Sequence, residues 1–175
     1  MPDLDALAKS EDAWWAEASS FDVWSMAQSE ADRLVARALG AQERRVAWDP
    51  SYLAMPDGRR IEVKVAAHLL DPYKTVFTVL PHASWQPQLE NGVPPRAADG
   101  YVFAFETSRE RRDFPSMEPE GWQFWVLPAE VITARGKRRI KLEKLQELAG
   151  PPVPYAELAV RVRTVVPPVG GVTAD

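Results

Sequence analysis

Cysteine is absent from the 175 residues, and histidine occurs only twice. The first absence excludes disulfides, thiol nucleophiles and every zinc site built on thiolates. The second leaves almost no material for a His-built metal centre or a Ser-His-Asp triad. No apolar run approaches the ~18–20 residues of a membrane span, and the N-terminus, MPDLDALAKSEDAWW, lacks the apolar core of a secretion signal. The expectation is a cytoplasmic protein with no membrane partner. Positive charge is scarce at one end only. Residues 1–32 hold Lys9 against eight acids: Asp3, Asp5, Glu11, Asp12, Glu17, Asp22, Glu30 and Asp32. The remainder then has 20 basic and 17 acidic residues, while the whole chain stands at 21 − 25 = −4. That balance excludes a uniformly basic nucleic-acid coat and leaves room for a local basic face. The phosphate-cradling patterns GxxxxGK[ST] and GxGxxG, the GxSxG elbow and the HExxH helix are missing as well.

What is present is the balance of an ordinary folded chain, with 46% hydrophobic and 26% charged residues and a length of about one domain. Ser19 and Ser20 offer a helix N-cap. Phe21, Trp24, Ala27, Ala31, Leu34, Val35, Ala38 and Leu39 then recur at helical spacing up to Gly40, which predicts a helix over 21–39. A weaker helix is expected over 3–17. After Gly40 the period changes to that of strands, at 45–48, 51–55, 59–66, 75–80, 101–105 and 122–127, with Asp57-Gly58 as the hairpin turn. Short helices follow at 143–149 and 155–165. Most of the 16 prolines fall in the connections. The expected fold is α/β in the α+β sense: a central mixed β-sheet of about five strands, 59–66, 75–80, 101–105 and 122–127 among them, flanked by helices. Residues 1–20 are expected to form an acidic N-terminal extension, 21–166 a single domain, and 167–175 a disordered tail. The acidic extension offers a surface for a second copy or for another protein.

One constellation carries chemistry. In Arg59-Arg60-Ile61-Glu62-Val63-Lys64-Val65, strand alternation turns Ile61, Val63 and Val65 to one face and Arg60, Glu62 and Lys64 to the other. The apolar face is expected to pack on a helix. The opposite face sets a carboxylate beside an ammonium on a stiff element. Metal-assisted phosphodiester hydrolysis asks for this pair: an oxygen for Mg²⁺ or Mn²⁺, and a cation near the attacking water or the phosphate. The same alternation also suits a half-buried strand with a solvated face.

A helix bearing Glu30 (SEADRLVARALG), a hairpin ending in Glu62-Val63-Lys64, and further buried strands together resemble the PD-(D/E)XK nuclease superfamily over residues 21–130. The resemblance implies a restriction-endonuclease-like fold and metal-dependent hydrolysis of DNA. It implies that Glu62 and Lys64 are the E-x-K pair and that Glu30 is the first-helix acid. The family also carries a second metal-binding acid about ten residues before the E-x-K glutamate, where this chain has Pro50, Ser51, Tyr52 and Leu53. Asp49 and Asp57 are the substitutes, Asp57 having its own reason to be in an Asp-Gly turn. With a two-residue turn at Asp57-Gly58, Leu53 faces Glu62, Ser51 faces Lys64, and Asp49 lies diagonal to Lys64. Asp49 is the better partner for Glu62 at a metal. The missing acid keeps open an alternative, a degenerate and inactive nuclease fold that binds nucleic acid or protein. Arg135, Lys137, Arg138 and Arg139 form a basic loop able to track a phosphate backbone. His68 stands at the site's edge, and Trp85 is a candidate for base stacking.

Overall fold

The computed structural model describes residues 20–43, 52–71, 73–79 and 98–168. In chain order its elements are α1 (Ser20–Leu39), β1 (Gln42–Glu43), β2 (Tyr52–Ala54), β3 (Arg60–Ala67), β4 (Val76–Thr78), β5 (Gly100–Glu106), β6 (Trp122–Pro128), α2 (Ala129–Arg135), β7 (Arg139–Lys141), α3 (Leu142–Ala149) and α4 (Leu158–Val165). The expected helix 3–17, the strand 45–48, Asp49, Trp85 and the tail from 169 onward lie outside the described residues. Among the described residues no helix is long and apolar enough to cross a membrane.

Helices and a mixed sheet make up the described residues, as the change of hydrophobic period implies. Among the described residues the sheet has five strands in the order β1-β2-β3-β5-β6. β3 and β5 are parallel, and the other pairings are antiparallel. Both faces are covered. On one face, Ala27, Ala31, Leu34 and Val35 of α1 and Leu158 and Val162 of α4 pack on Ile61, Val63, Val65, Val102, Ala104 and Phe124. On the other, Ile132 of α2, Leu145 of α3 and Phe77 and Ile140 of β4 and β7 pack on Tyr101, Phe103, Trp125 and Leu127. Side-chain alternation along β5 and β6 therefore feeds two cores from single strands.

Three expectations need correction. The run 75–80 is not a strand of the central sheet. β4 pairs antiparallel with β7 in a separate two-stranded ribbon, Phe77 opposite Ile140. Its apolar character comes from covering the second face, where the Phe77 ring meets Phe103 edge-on at 5.3 Å. Trp24, placed on the buried stripe of the helix, is 40% exposed, and Val23 takes the inward position.

The third correction is the hairpin register. The Met55 N–H donates to the Arg59 carbonyl (2.8 Å) and the Gly58 N–H to the Met55 carbonyl (2.9 Å). Pro56, Asp57 and Gly58 thus form a three-residue connection, with Gly58 in the left-handed region at φ 85°. The extra residue slips the pairing by one. Tyr52 faces Glu62 and the buried Leu53 faces Ile61, and a slip of one residue exchanges the two faces of β2. Asp57 does turn chemistry, its carboxylate accepting from the Arg59 backbone N–H at 3.1 Å and from the Arg59 guanidinium. Arg59 is in turn buried, its Nε donating to the Val166 carbonyl at 2.9 Å behind α4. At Gly100 an added Cβ would stand 2.3 Å from Val166 Cγ2, so only glycine lets the chain end of α4 close on the sheet.

Candidate functional site

β3 runs through the middle of the sheet, and its apolar residues anchor it. Ile61, Val63 and Val65 are 0%, 3% and 6% exposed under α1. The intervening side chains Arg60, Glu62 and Lys64 point to the second face. There the Lys64 Nζ donates to Glu62 Oε1, and the two side chains keep 17% and 25% of their surface. The pair is half-buried and open to solvent on one side.

The neighbouring strand completes the site. In the parallel register Tyr101 stands opposite Glu62 and Phe103 opposite Lys64. The Lys64 ammonium lies 5.8 Å from the centre of the Tyr101 ring, within cation–π range. Burial, reinforced by the Glu62 charge, pushes the Tyr101 phenol up to about 12, so it stays protonated at neutral pH. Asp99 takes charge of Arg60: its Oδ2 accepts from the Arg60 backbone N–H at 2.8 Å, and its Oδ1 pairs with the guanidinium. Behind the strand, Gln28 of α1 donates from Nε2 to the Val63 carbonyl (3.2 Å) and to Asp32 (2.9 Å). The carbonyl between Glu62 and Lys64 is thereby tied to the helix, so the two side chains hang from a fixed backbone.

The other sequence candidates are dispersed. Glu30 lies in the α1 layer, across the sheet from Glu62 and 7% exposed. Its Oε1 accepts from Arg33 Nε at 2.9 Å, while Arg33 Nη2 donates to the Met117 carbonyl at 2.8 Å. Glu30 therefore secures a loop, and the structure does not bring it to Glu62. His68 follows β3, and its backbone N–H donates to the Glu106 carbonyl (2.9 Å). Arg135, Lys137, Arg138 and Arg139 are not one loop. Arg135 ends α2, Gly136 turns at φ 58°, and Arg139 opens β7 opposite Thr78. Lys137, Arg138 and Arg139 are exposed, and Arg135 is half-buried with no acceptor for its Nη1 among the described residues. No group of three or more His, Asp or Glu converges among the described residues.

Sequence reasoning missed Tyr101, Asp99 and Glu106. Alternation in YVFAF gives Tyr101 its face, but only the register with β3 sets it beside Lys64. Glu106 ends β5 with 0% exposure. Its carboxylate accepts from the backbone N–H groups of Ser108 (3.1 Å) and Ser116 (3.2 Å) and from the Ser108 hydroxyl, folding the loop 107–116 back on itself. Burial pushes this carboxyl up, against the opposing pull of those donors and of the His68 charge. Above its ordinary value of 4.5 the folded chain keeps a proton that the unfolded chain releases, so stability falls as pH rises through that window. Urea titrations at a series of pH values should show this fall in the wild type and its absence in Glu106→Gln.

No family model, curated protein or solved structure matches the chain. The site must therefore be read from its own chemistry. A carboxylate, an ammonium held beside it and a protonated phenol share one face of the sheet. Such a set can hold a cation through Glu62 and meet a phosphate through Lys64.

Proposed function

We propose that the chain is a metal-dependent nuclease of the PD-(D/E)XK kind, with a restriction-endonuclease-like fold, that hydrolyses phosphodiester bonds of DNA. The observation that carries this reading is the Glu62–Lys64 pair on the inner strand β3. The strand is the second arm of an antiparallel hairpin that follows a helix, which is the element order the E-x-K resemblance implies. Mg²⁺ sites in proteins use one or two carboxylates, completed by water and substrate phosphate. Glu62 fits as one of these; Asp49, the second that the resemblance suggests, lies outside the described residues. When bound, Mg²⁺ or Mn²⁺ supplies charge to polarise the phosphodiester and to generate a nucleophile from water. Glu62 holds the cation's place on a rigid strand. Lys64 stabilises the charge that develops at the phosphate. The exposed Lys137, Arg138 and Arg139 track the DNA backbone, with His68 at the edge of the site.

A second reading has its own support. β2 carries Tyr52, Leu53 and Ala54, with Tyr52 across from Glu62, where the family pattern asks for an acid. A degenerate fold that binds DNA or protein without cutting follows from that strand. Calorimetry separates the two. The nuclease reading expects Mg²⁺ or Mn²⁺ binding by the wild type, its loss in Glu62→Ala and its survival in Lys64→Ala. DNA binding without any cation binding favours the degenerate module.

The basic residues have a separate test. Replacing Arg138 and Arg139 together by Ala should weaken DNA binding alike for all sequences. The slope of log affinity against log salt should fall by about one for each phosphate that the variant no longer neutralises. An unchanged slope removes these residues from the interface.

A further inference from the structure

The ion pair between Glu62 and Lys64 conflicts with the use of Glu62 as a cation ligand. A carboxylate that turns both oxygens to a divalent cation gives up the ammonium now resting on its Oε1. One that binds through Oε2 alone shares its charge with the cation and holds the ammonium less tightly. Lysine is a flexible point charge on a four-carbon stem, and without a partner it swings to water. Lys64 has a second neighbour, however, in the Tyr101 ring at 5.8 Å. That ring is held still. Tyr101 is 8% exposed, stands opposite Glu62 in the parallel register, and packs beside Phe103 with ring centres 6.3 Å apart. Arg60, the other cation on this part of β3, is engaged by Asp99.

We infer that Tyr101 is a positioning residue whose ring face is the second seat of the Lys64 ammonium, keeping it in the site when Glu62 is occupied by a cation. The consequence for catalysis rests on the nuclease reading above. The contact itself rests on the geometry alone. An ammonium over a ring face is attracted by the ring quadrupole, which phenylalanine shares with tyrosine and leucine lacks. The hydroxyl is therefore dispensable for this role and the ring is not.

Nuclear magnetic resonance of the full chain with labelled lysine tests the contact directly. The Lys64 ε-methylene protons should lie upfield of those of free lysine because they sit over a ring. Tyr101→Phe, which keeps the ring, should preserve this shift, and Tyr101→Leu should abolish it. Glu62→Gln removes the charged partner without any need for metal, and the upfield shift should persist there. Kinetics supply the second arm. Tyr101→Leu should lower kcat for DNA cleavage about tenfold, with KM within about twofold because backbone contacts lie elsewhere. Tyr101→Phe should restore the rate. An unchanged Lys64 shift in Tyr101→Leu, or its collapse in Glu62→Gln, overturns the inference. If Tyr101→Leu does not fold, the Glu62→Gln spectrum decides alone. A wild type that binds no cation and cuts no DNA ends the nuclease reading, and the two spectra still decide the contact.

Discussion

On the proposed nuclease reading, Lys64→Ala should lower kcat for DNA cleavage by about 10²–10³-fold while the protein stays folded. The size follows from the task assigned to the side chain, which is to meet charge that appears on the phosphate only as the bond breaks. A preformed donor in a partly desolvated site commonly contributes ~3–4 kcal/mol to such a step. The folding cost is small for an equally concrete reason. Val63 and Val65 hold β3 under α1, and Gln28 holds the intervening carbonyl, whether or not Lys64 is present. A solvent-accessible ion pair contributes little net stability, so loss of this half-buried one should cost on the order of 1 kcal/mol. DNA affinity should change little as well, since many phosphate contacts share it. Stopped-time cleavage assays beside urea denaturation check all three statements. A variant that unfolds would make Glu62 and Lys64 a structural ion pair, and a variant with undiminished kcat would remove Lys64 from the chemistry.

Trp125→Ala should be the most damaging change to the fold. Trp125 is 0% exposed on β6, opposite Phe103 and within the second core, and its Nε1 donates to the Gly150 carbonyl at 3.2 Å. Truncation leaves a cavity that the surrounding second core, with Phe103, Ile132, Ile140 and Leu145 among its members, closes only in part. Losses of ~3–5 kcal/mol are usual for such a change. Domains of this size have only about 5–15 kcal/mol in total. The melting temperature should drop by roughly 6–20 °C. Val160→Ala, at a position 62% exposed on α4, is the control and should stay within about 0.5 kcal/mol. A destabilisation below about 1 kcal/mol at Trp125 would show that the second face is not tightly packed.

The two faces of β3 are legible in the sequence, and the site built on one of them is only half so. Ile61, Val63 and Val65 alternate with Arg60, Glu62 and Lys64, and nothing but a strand satisfies that pattern beside an amphipathic helix. The helix itself shows in the spacing of Ala27, Ala31, Leu34 and Val35. Cross-strand identities are harder because they depend on turn geometry and on pairing between distant segments. Asp57-Gly58 suggests a two-residue turn, and the inclusion of Pro56 moves Tyr52 into the place expected for Leu53. Tyr101 comes beside Lys64 through a parallel pairing reached across more than thirty intervening residues. Local pattern carries no information on that register. The TVFTVL run looks like an inner strand because burial, which strand patterning records, is the same whether a residue lies within a sheet or across it. Its partner β7 is hidden by charge, since Arg139 and Lys141 flank the single buried Ile140.

Whether Glu62 and Lys64 form a cation-dependent phosphodiester-cleaving centre is decided by incubating the purified chain with single- and double-stranded DNA. The reactions are run in Mg²⁺, in Mn²⁺ and in chelator, with Glu62→Gln in parallel. A cleaving centre requires strand scission by the wild type in at least one of the two cations, none in chelator and none by Glu62→Gln. Absence of scission of either DNA by the wild type in both cations, or equal scission by Glu62→Gln, would contradict it.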